Sequence, residues 1–340
     1  MGLKVSLGGD VLITTKGTVG RIARVPADFP EHVYSPQVCF LRSLNPGVID
    51  PRWLYQWARS PQMMDQLGLY KDQTDMAPYV SLTDLRKVFI DVPPLPEQRR
   101  IAAVLGTLDD LIETNRRIAA AALDMAKVSF SSLAACSAED LIKLSDVTTK
   151  IGSGATPRGG KDVYQETGVS FIRSQNVYDG QFSFGGLARI SDAAADALSG
   201  VAVRPGDVLV NITGESVTRT ALVPNRALPA RVSQHVAIVR PDAQRLDSGF
   251  LMLALLSAPI KAHLNGLSTA GATRRALTKA HLGETRIPVP PLAEQLRVAR
   301  VLDAIDDLRA EMADLTRTRD ELLPLLMSGT VRVAYDLALA

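Results

Sequence analysis

The sequence contains few of the side chains that metal sites, redox sites and disulfide frameworks need. Its 340 residues include only two cysteines, Cys39 and Cys136, and four scattered histidines. Their number and spacing predict no zinc site and no disulfide framework, and they are typical of a reducing compartment. We therefore expect a cytoplasmic protein that holds neither a metal nor a cofactor.

Net charge, aromatic content and hydrophobic runs are small as well. The formal net charge is +2, and aromatic residues make up 5% of the chain. A net charge this close to zero gives no sign of a large basic surface. Binding to nucleic acid would therefore depend on local patches of basic residues. No apolar run approaches the roughly 20 residues that span a bilayer, and no basic segment followed by an apolar run opens the sequence. We expect no signal peptide and no membrane segment.

Three loops come near known catalytic motifs, but each is incomplete. In residues 154–162, Lys161 stands one place late for a phosphate-binding loop, and no hydroxyl residue follows it. Pro157 stands where a dinucleotide-binding loop at residues 152–157 would need its third glycine. Residues 266–270 lack the closing glycine of a nucleophile elbow. None of these loops predicts an enzyme.

Two pairs of adjacent aspartates, Asp109–Asp110 and Asp306–Asp307, could be taken for catalytic dyads. Both pairs fall in segments with helical periodicity. Adjacent side chains on a helix point in different directions, so the two carboxylates cannot share a proton or a metal. We interpret them as solvated or interhelical charges, and catalytic dyads are the less favoured alternative.

What the sequence does contain is one stretch that occurs twice. Residues 92–111 and 289–308 are identical at 13 of 20 positions, at a constant offset of 197. A fixed offset of this kind indicates two versions of one structural unit. Each copy opens with a Pro-Pro pair, which ends the preceding element, and with an early glutamate (Glu97 or Glu294), which suits the first turn of a helix.

A repeat of apolar residues spaced three and four apart follows each helix start, and it predicts a long helix that pairs through a heptad seam. Asn115 and Arg319 are polar residues at equivalent seam positions, which would set the register. We therefore expect the two helices to pair antiparallel within this chain. Two separate amphipathic helices are the alternative. The predicted seams are Ile101, Val104, Leu108, Leu111, Asn115, Ile118, Ala122 and Met125 in the first helix, and Val298, Val301, Ile305, Leu308, Met312, Leu315, Arg319 and Leu322 in the second.

The repeat extends into the segments before each helix. Residues 9–13 match residues 206–210, and residues 53–60 match residues 250–257. At this offset residue 1 aligns with residue 198, so residues 144–197 have no counterpart in the first unit. We therefore expect the first unit to lack its opening half. Three explanations stay open: an upstream start, a natural truncation, or a piece supplied in trans.

Several polar loops combine glycine or small residues with arginine, lysine and amide side chains. Glycine lets backbone approach a phosphate, arginine pairs with guanine, and glutamine or asparagine pairs with adenine in the major groove. Each loop alone is more often an ordinary surface turn, but four in one unit favour DNA binding. The candidate DNA-binding residues are Lys150, Ser153, Thr156, Arg158, Lys161, Arg173, Ser174, Gln175, Asn176, Thr213, Arg219, Arg274 and Arg275 in the second unit, and Lys16 and Arg21 in the first.

With these motifs the chain resembles the specificity (S) subunits of type I restriction–modification systems. The resemblance rests on the Pro-Pro-Leu-x-Glu-Gln helix starts at residues 93–98 and 290–295, the opening at residues 144–157, the Gly-Asp-Val-Leu segments and residues 326–329. It implies a mixed α+β fold in which two target-recognition domains are separated by two long antiparallel coiled-coil helices. The implied division is a partial first target-recognition domain at 1–91, a central long helix at 92–142, a second target-recognition domain at 143–288, and a distal long helix with a C-terminal tail at 289–340.

The resemblance also implies a function. Such a subunit reads a bipartite target on double-stranded DNA, recruits two methyltransferase (M) subunits and restriction (R) subunits, and has no active site of its own. Two alternatives stay open. The chain could be the recognition subunit of a combined restriction and methylation enzyme of another type, or a degenerate remnant that binds partner subunits without reading DNA.

Overall fold

The computed structural model describes residues 5–71, 78–136, 141–159, 163–269 and 275–334. Helices and strands are mixed along the chain, as the sequence predicts. Packing divides the chain into two compact units. The first comprises residues 1–116 and 310–340, and the second comprises residues 117–309. Each of two long helices, α4 (Leu95–Cys136) and α9 (Leu292–Met327), therefore contributes one part to each unit.

The first unit is a small antiparallel sheet covered by helices on one face. Its strands are β1 (Val11–Thr14), β2 (Ile22–Arg24) and β3 (Val38–Leu41), and its short helices are α1 (Pro51–Ala58), α2 (Pro61–Lys71) and α3 (Leu82–Leu85). The sheet order is β2-β1-β3. Val11 and Ile13 share one buried cluster with Trp53, Leu105 and Leu323. Alternation along β1 thus directs every second side chain to the helices.

The second unit is larger and contains two four-stranded sheets. Its strands are β4 (Leu141–Lys143), β5 (Thr148–Ser153), β6 (Tyr164–Gln165), β7 (Val169–Ile172), β8 (Val177–Tyr178), β9 (Gln181–Phe182), β10 (Ala188–Ile190), β11 (Val208–Asn211), β12 (Thr220–Leu222), β13 (Ala230–Val232), β14 (Val236–Pro241) and β15 (Arg286–Pro288). Its short helices are α5 (Asp192–Ala197), α6 (Ser248–Leu256), α7 (Ala258–Thr269) and α8 (Lys279–Glu284). One sheet has the order β12-β11-β14-β5 and the other β13-β7-β10-β6, with β13 and β7 parallel.

The internal repeat is confirmed by strand pairing. Strands β2-β1-β3 of the first unit correspond to β12-β11-β14 of the second, with the same antiparallel neighbours. The isolated bridge between Lys16 and Tyr79 has its equivalent between Thr213 and Ala276. Both partners of that bridge are shifted by 197 residues, the offset of the sequence repeat.

Each long helix is held at its start by a buried glutamine of the repeated motif. The Oε1 atom of Gln98 accepts a hydrogen bond from the Asp50 N–H (2.8 Å), and its Nε2 atom donates to the carbonyls of Val48 (2.9 Å) and Pro93 (2.8 Å). Gln295 makes the same three contacts, with Asp247, Arg245 and Pro290. Both glutamines are 0% exposed. The motif therefore fastens the start of the long helix to the cap residue of an earlier helix, because Asp50 caps α1 and Asp247 caps α6.

The two long helices run antiparallel where they pack within each unit, as predicted. In the first unit the Arg319 guanidinium donates to Asp109 (3.0 Å), and the Asn115 amide donates to Glu311 (3.0 Å). In the second unit Phe130 belongs to the same buried cluster as Val298. The contacting residue numbers rise on one helix while they fall on the other. Both polar seam residues, Asn115 and Arg319, make contacts between the helices.

Three of the eight predicted seam residues on the first helix are wrong by one position. Leu111, Ile118 and Met125 are 43%, 49% and 68% exposed. The buried positions are instead Ile112, Ala119 and Ala126, each one residue later. Small alanines on that side allow a neighbouring helix to approach closely, so they are buried in place of the larger apolar side chains. The same shift occurs on the second helix, where Leu302 and Leu323 are buried.

Helix α4 is long and apolar enough to cross a membrane by length and composition alone. Between Ile118 and Ala135 its only charged residues are Asp124 and Lys127. The same composition occurs in long helices of soluble proteins. One side of this helix is buried against the other long helix in both units.

Candidate nucleic-acid interface

The candidate DNA-binding loops of the second unit meet at one edge of its two sheets. Strands β5 and β11 end where β14 begins, because Ser153 pairs with Ala237 and Asn211 pairs with Val236. The parallel strands β7 and β13 end at the same edge. We call residues 153–158, 173–176, 211–219 and 233–235 the loop edge. Strand order alone therefore brings together segments that lie far apart in sequence.

A backbone hydrogen bond joins the two sheets at the loop edge. The N–H of Ala155, two residues after the end of β5, donates to the carbonyl of Val232 at the end of β13 (3.0 Å). A Cβ atom on Gly154 would lie 2.0 Å from the Val232 carbonyl oxygen. Only glycine fits at this close approach to the Val232 backbone, so Gly154 has a structural role. Ser153 and Thr156, on either side of it, are exposed.

Arg173 and Gln175 lie on the loop after β7. The Arg173 guanidinium donates to the Gly186 carbonyl (2.6 Å) and lies 5.2 Å from the ring centroid of Tyr164. The exposed Gln175 amide donates to the same carbonyl (3.2 Å). Arg173 is therefore held over an aromatic ring, whereas Gln175 presents an amide to solvent.

Two asparagines at the loop edge hold the loops in place. Asn176 is 0% exposed; it accepts a hydrogen bond from the Arg173 N–H (3.0 Å) and donates to the Ser183 carbonyl (3.0 Å). Asn211 is also 0% exposed and donates to the Ser174 carbonyl (2.9 Å). The sequence predicts that Asn176 contacts a base, but its buried side chain instead binds the backbone of its own loop.

Thr213, Arg219 and Arg275 flank the end of β11. The Thr213 hydroxyl lies 2.6 Å from the Nδ1 atom of His235. Arg219 lies over the ring of Tyr178, 4.8 Å from its centroid. Arg275 donates to the Asn265 side-chain oxygen (2.6 Å), and its carbonyl accepts from the Gly214 N–H. These contacts hold Thr213 and Arg219 within the loop edge and tie Arg275 to the loop that follows β11.

Comparison with known proteins shows the family of this chain. The family described as the type I restriction modification DNA specificity domain matches residues 3–122 and 140–317. The chain belongs to this family. A curated relative, the putative type I restriction enzyme MjaX specificity subunit of Methanocaldococcus jannaschii, is 26% identical over 96% of this chain and 79% of its own length. The MjaVIII specificity subunit of the same organism is 24% identical over 75% of this chain and 65% of its own length.

The fold has a counterpart among solved structures. The S subunit of a type I restriction–modification system from M. genitalium superimposes with a TM-score of 0.59. The match covers 94% of this chain and 83% of that one, at 15% sequence identity. Identity this low supports the fold alone. Specificity subunits of this family are in general non-catalytic, and they assemble with methyltransferase and restriction subunits and bind DNA.

Lys150 lies apart from the other candidate residues. It pairs with Arg240 in the ladder between β5 and β14, and its ammonium group donates to the Gly200 carbonyl (2.7 Å). Burial and the nearby Arg240 lower the pKa of Lys150. Arg158 is exposed in the loop after β5. Lys161 and Arg274 lie outside the described residues.

In the first unit, Lys16 and Arg21 lie on the loop between β1 and β2. Both are exposed. Gly17 and Gly20 in this loop have φ angles of 75° and 89°, which favour glycine. The loop corresponds to residues 212–219 of the second unit, so the repeat places these two cations at the equivalent edge of the first sheet.

Sequence reasoning missed Gln234 and His235, which form the exposed turn between β13 and β14. The turn lies at the loop edge because the His235 carbonyl accepts from the Ile212 N–H (3.0 Å). Neither glycine nor a cluster of charge marks this turn. The only signal was the repeat, in which Ser233 and Val236 match Ser35 and Val38.

The aspartate pairs make structural contacts. Asp109 accepts hydrogen bonds from Arg59 (2.8 Å), Gln56 (2.9 Å) and Arg319 (3.0 Å). Burial raises the pKa of Asp109, but these donors more than offset it and hold that pKa below the usual value of 3.8. At the equivalent Asp306, burial raises the pKa and the nearby Arg309 offsets only part of the rise. Among the described residues, no group of histidine, cysteine, aspartate and glutamate could hold a metal ion.

Proposed function

We propose that this chain is the DNA-specificity subunit of a type I restriction–modification complex, and that the loop edge of the second unit reads one half of a bipartite target. The observation that carries the proposal is the convergence of four polar loops at one sheet edge. These loops carry Ser153, Gln175, Thr213 and Arg219, and the buried side chains of Asn176 and Asn211 hold the loop backbone in place. Arginine, amide and hydroxyl groups are the side chains that read base edges and bind phosphates.

The length of the helices supports a bipartite target. Helix α4 has 42 residues, which corresponds to about 63 Å at about 1.5 Å per residue. Half-sites of a bipartite target lie about one DNA turn, roughly 34 Å, apart, and a helix of this length exceeds that spacing. In this proposal residues 1–91 and 143–288 are the two recognition domains, and the long helices are spacers.

Recruitment of methyltransferase and restriction subunits would use the exposed side of the long helices. Within the second unit, Met125 and Val128 of α4 are 68% and 67% exposed. Large apolar side chains on a helix surface are typical of protein–protein interfaces. The catalytic groups would belong to the partner subunits, and the complex would act on DNA in the cytoplasm.

The proposal is tested by binding of the full chain, with its partner subunits, to a randomised duplex library. Gln175→Ala should relax the preference at one base pair, at a cost of about 1–3 kcal/mol for the preferred sequence. Arg219→Ala should weaken binding to all duplexes and lower its dependence on salt. Lys150→Ala is the matched control, because Lys150 lies away from the loop edge.

Two results would contradict the proposal. One is that both variants change affinity equally for every duplex, which would remove the distinction between base and phosphate contacts. The other is methyl transfer from S-adenosylmethionine to DNA by this chain alone, because the proposal places all catalysis in the partner subunits.

A further inference from the structure

The connection between β13 and β14 is a tight turn within the loop edge. Its four residues, Ser233 to Val236, form a β-turn, because the Val236 N–H donates to the Ser233 carbonyl (3.0 Å). Gln234 and His235 are the two corner residues, and both are exposed. The turn fixes the backbone of its corner residues, so their side chains leave it in defined directions.

Backbone hydrogen bonds tie this turn to the other three segments of the loop edge. The Ser233 N–H donates to the Ile172 carbonyl, directly before the loop that follows β7 (2.9 Å). The Val236 carbonyl accepts from the Gly154 N–H, after β5 (2.9 Å). The carbonyl of the second corner residue accepts from the Ile212 N–H, after β11 (3.0 Å). The turn is therefore held on three sides, and the whole edge determines where its corner side chains lie.

One contact from a neighbouring loop orients the side chains of the turn. The Thr213 hydroxyl lies 2.6 Å from the Nδ1 atom of the His235 ring. The other ring nitrogen, Nε2, lies 3.5 Å from the amide nitrogen of Gln234. The ring is therefore fixed at one nitrogen and lies beside the amide with the other. A contact of 3.5 Å is long, so the amide can turn its donor and acceptor towards a ligand at little cost.

The repeat contains the same turn in the first unit. The Val38 N–H donates to the Ser35 carbonyl (2.9 Å), and the Thr15 N–H donates to the Gln37 carbonyl (2.9 Å). Both bonds have their equivalents at the turn of the second unit, at offsets of 198 and 197. The backbone of this turn is therefore built in the same way in both units.

The accessible side chains on this backbone differ between the units. The three positions that change are Thr213, Gln234 and His235 in the second unit, and Lys16, Pro36 and Gln37 in the first. The first and last residues of the turn are serine and valine in both units. Residues that the turn itself requires are thus kept, whereas those that face solvent vary. Such variation favours a turn that recognises different ligands in the two units.

Buried polar atoms next to the turn indicate that this edge faces a polar ligand. The Ser233 hydroxyl and the side-chain oxygen of Asn211 are buried, and neither has a hydrogen-bond partner within the residues that the structure describes. Ser233 precedes the first corner residue, and Asn211 pairs with Val236 at the end of the turn. A buried polar atom without a partner destabilises a fold. Proteins retain such atoms mainly at functional sites, where a ligand or an ordered water supplies the partner.

We propose that Gln234 specifies one A·T base pair of the half-site, and that His235 and Thr213 position it. A glutamine amide carries a donor and an acceptor side by side, and this pair matches N7 and N6 of adenine in the major groove. Gln234 is the corner residue that carries both groups. The proposal rests on the proposed function of the loop edge, and it adds the base that is read and the residue that reads it.

The test is binding of the full chain, with its partner subunits, to a randomised duplex library. The sequences bound by the unmodified chain should contain an adenine whose preference falls about tenfold in Gln234→Ala, with the preferences at other positions unchanged. Gln244→Ala is the matched control, because Gln244 is an exposed glutamine beyond the opposite end of β14. The control should change none of the preferences.

Gln234→Glu is a second variant with a side chain of the same shape. A carboxylate accepts hydrogen bonds but donates none, and it pairs with N4 of cytosine. The preference at the same position should therefore change from adenine to cytosine. Gln234 is exposed, so neither variant should shift the midpoint of thermal unfolding followed by circular dichroism.

The positioning role is tested through the same base pair. Thr213→Val removes the hydroxyl but keeps the shape of the side chain, so the His235 ring is no longer held at Nδ1. The variant should weaken the preference for adenine at the position that Gln234 reads. Combined with Gln234→Ala it should cause no further loss, because the hydroxyl acts through the amide. Thr213→Ser retains the hydroxyl and should keep the preference.

Three results would overturn the proposal. Gln234→Ala could leave every preference unchanged while the unmodified complex selects a sequence, which would leave the proposed function intact and remove Gln234 from base reading. The losses in Thr213→Val and Gln234→Ala could add, which would show that Thr213 does not act through Gln234. The unmodified complex could select no sequence at all, which would contradict the proposed function and this proposal together.

Discussion

At the scale of single residues, the repeat supplies pairs of equivalent side chains in different surroundings. Asp109 and Asp306 differ by the repeat offset of 197. Asp109 has two arginines and a glutamine as donors, whereas Asp306 has Arg309 at 3.5 Å. Their pKa values therefore move in opposite directions, and their contributions to stability should have opposite signs.

Replacing Asp109 by asparagine should destabilise the first unit. Asp109 has a lowered pKa in the folded chain, so its contribution is present above its usual value of 3.8 and is lost as the pH falls further. Asp109→Asn should therefore lower the free energy of unfolding by about 2 kcal/mol at pH 7 and by much less in strong acid. Urea titrations at both pH values measure the difference.

Asp306→Asn is the matched variant. The raised pKa of Asp306 means that its charged form disfavours the folded state at neutral pH. The variant should be as stable as the unmodified chain at pH 7, or more stable. A loss of stability equal to that of Asp109→Asn would contradict the opposite signs.

Two neighbouring residues of the loop edge should have different roles: Asn176 stabilises the fold, and Gln175 contacts DNA bases. Asn176 is buried with three hydrogen bonds, whereas Gln175 beside it is exposed. Asn176→Ala should lower the free energy of unfolding by about 1–3 kcal/mol, because buried polar groups lose their partners. Gln175→Ala should leave stability within about 0.5 kcal/mol. Thermal unfolding of the two variants measures this difference, and equal losses would contradict it.

At the scale of elements, the repeated helix start is a joint between two helices. One buried glutamine accepts a hydrogen bond from the N–H of the cap residue of an earlier helix and donates to two carbonyls. The joint occurs twice with the same geometry, so the motif Pro-Pro-Leu-x-Glu-Gln is maintained by a packing requirement. The neighbouring glutamate has no equivalent role: Glu294 is partly exposed and pairs with Arg297 one turn along.

Gln295→Leu should therefore be costly although leucine is similar in size. Three buried backbone groups would lose their partners, so the free energy of unfolding should fall by about 3 kcal/mol or more. Glu294→Ala is the control and should cost less than about 1 kcal/mol. Chemical denaturation followed by circular dichroism distinguishes these outcomes. A stable Gln295→Leu variant would show that the joint contributes little.

At the scale of the whole molecule, the two units are not equally complete. The second unit encloses its sheet on both faces, whereas Leu12, Thr14, Val38 and Phe40 on the equivalent face of the first unit stay partly exposed. Less apolar surface is buried per residue in such a unit, so its stability should be lower. The chain should then unfold in two steps.

Tryptophan fluorescence can observe the first step alone. Both tryptophans of the chain, Trp53 and Trp57, are buried in the first unit, at 1% and 5% exposure. The urea midpoint from fluorescence should therefore be lower than the main midpoint from circular dichroism, which follows both units. Coincident midpoints would mean that the two units unfold together.

The sequence by itself determined the repeat, the two long helices, their antiparallel pairing and the mixed fold class. These features depend on local signals: proline pairs, apolar periodicity and a constant offset. The sequence also predicted correctly that Asn115 and Arg319 lie between the helices, because each is a polar residue within a regular apolar repeat.

Only the tertiary structure decided which side of each helix is buried and which loop residues face solvent. Leu111, Ile118 and Met125 fit a heptad as well as Ile112, Ala119 and Ala126 do, and close packing selects the smaller set. Asn176 and Gln175 look alike in sequence, yet only one is buried. The exposed turn at His235 joins the loop edge through strand order, which depends on contacts between residues far apart in the chain.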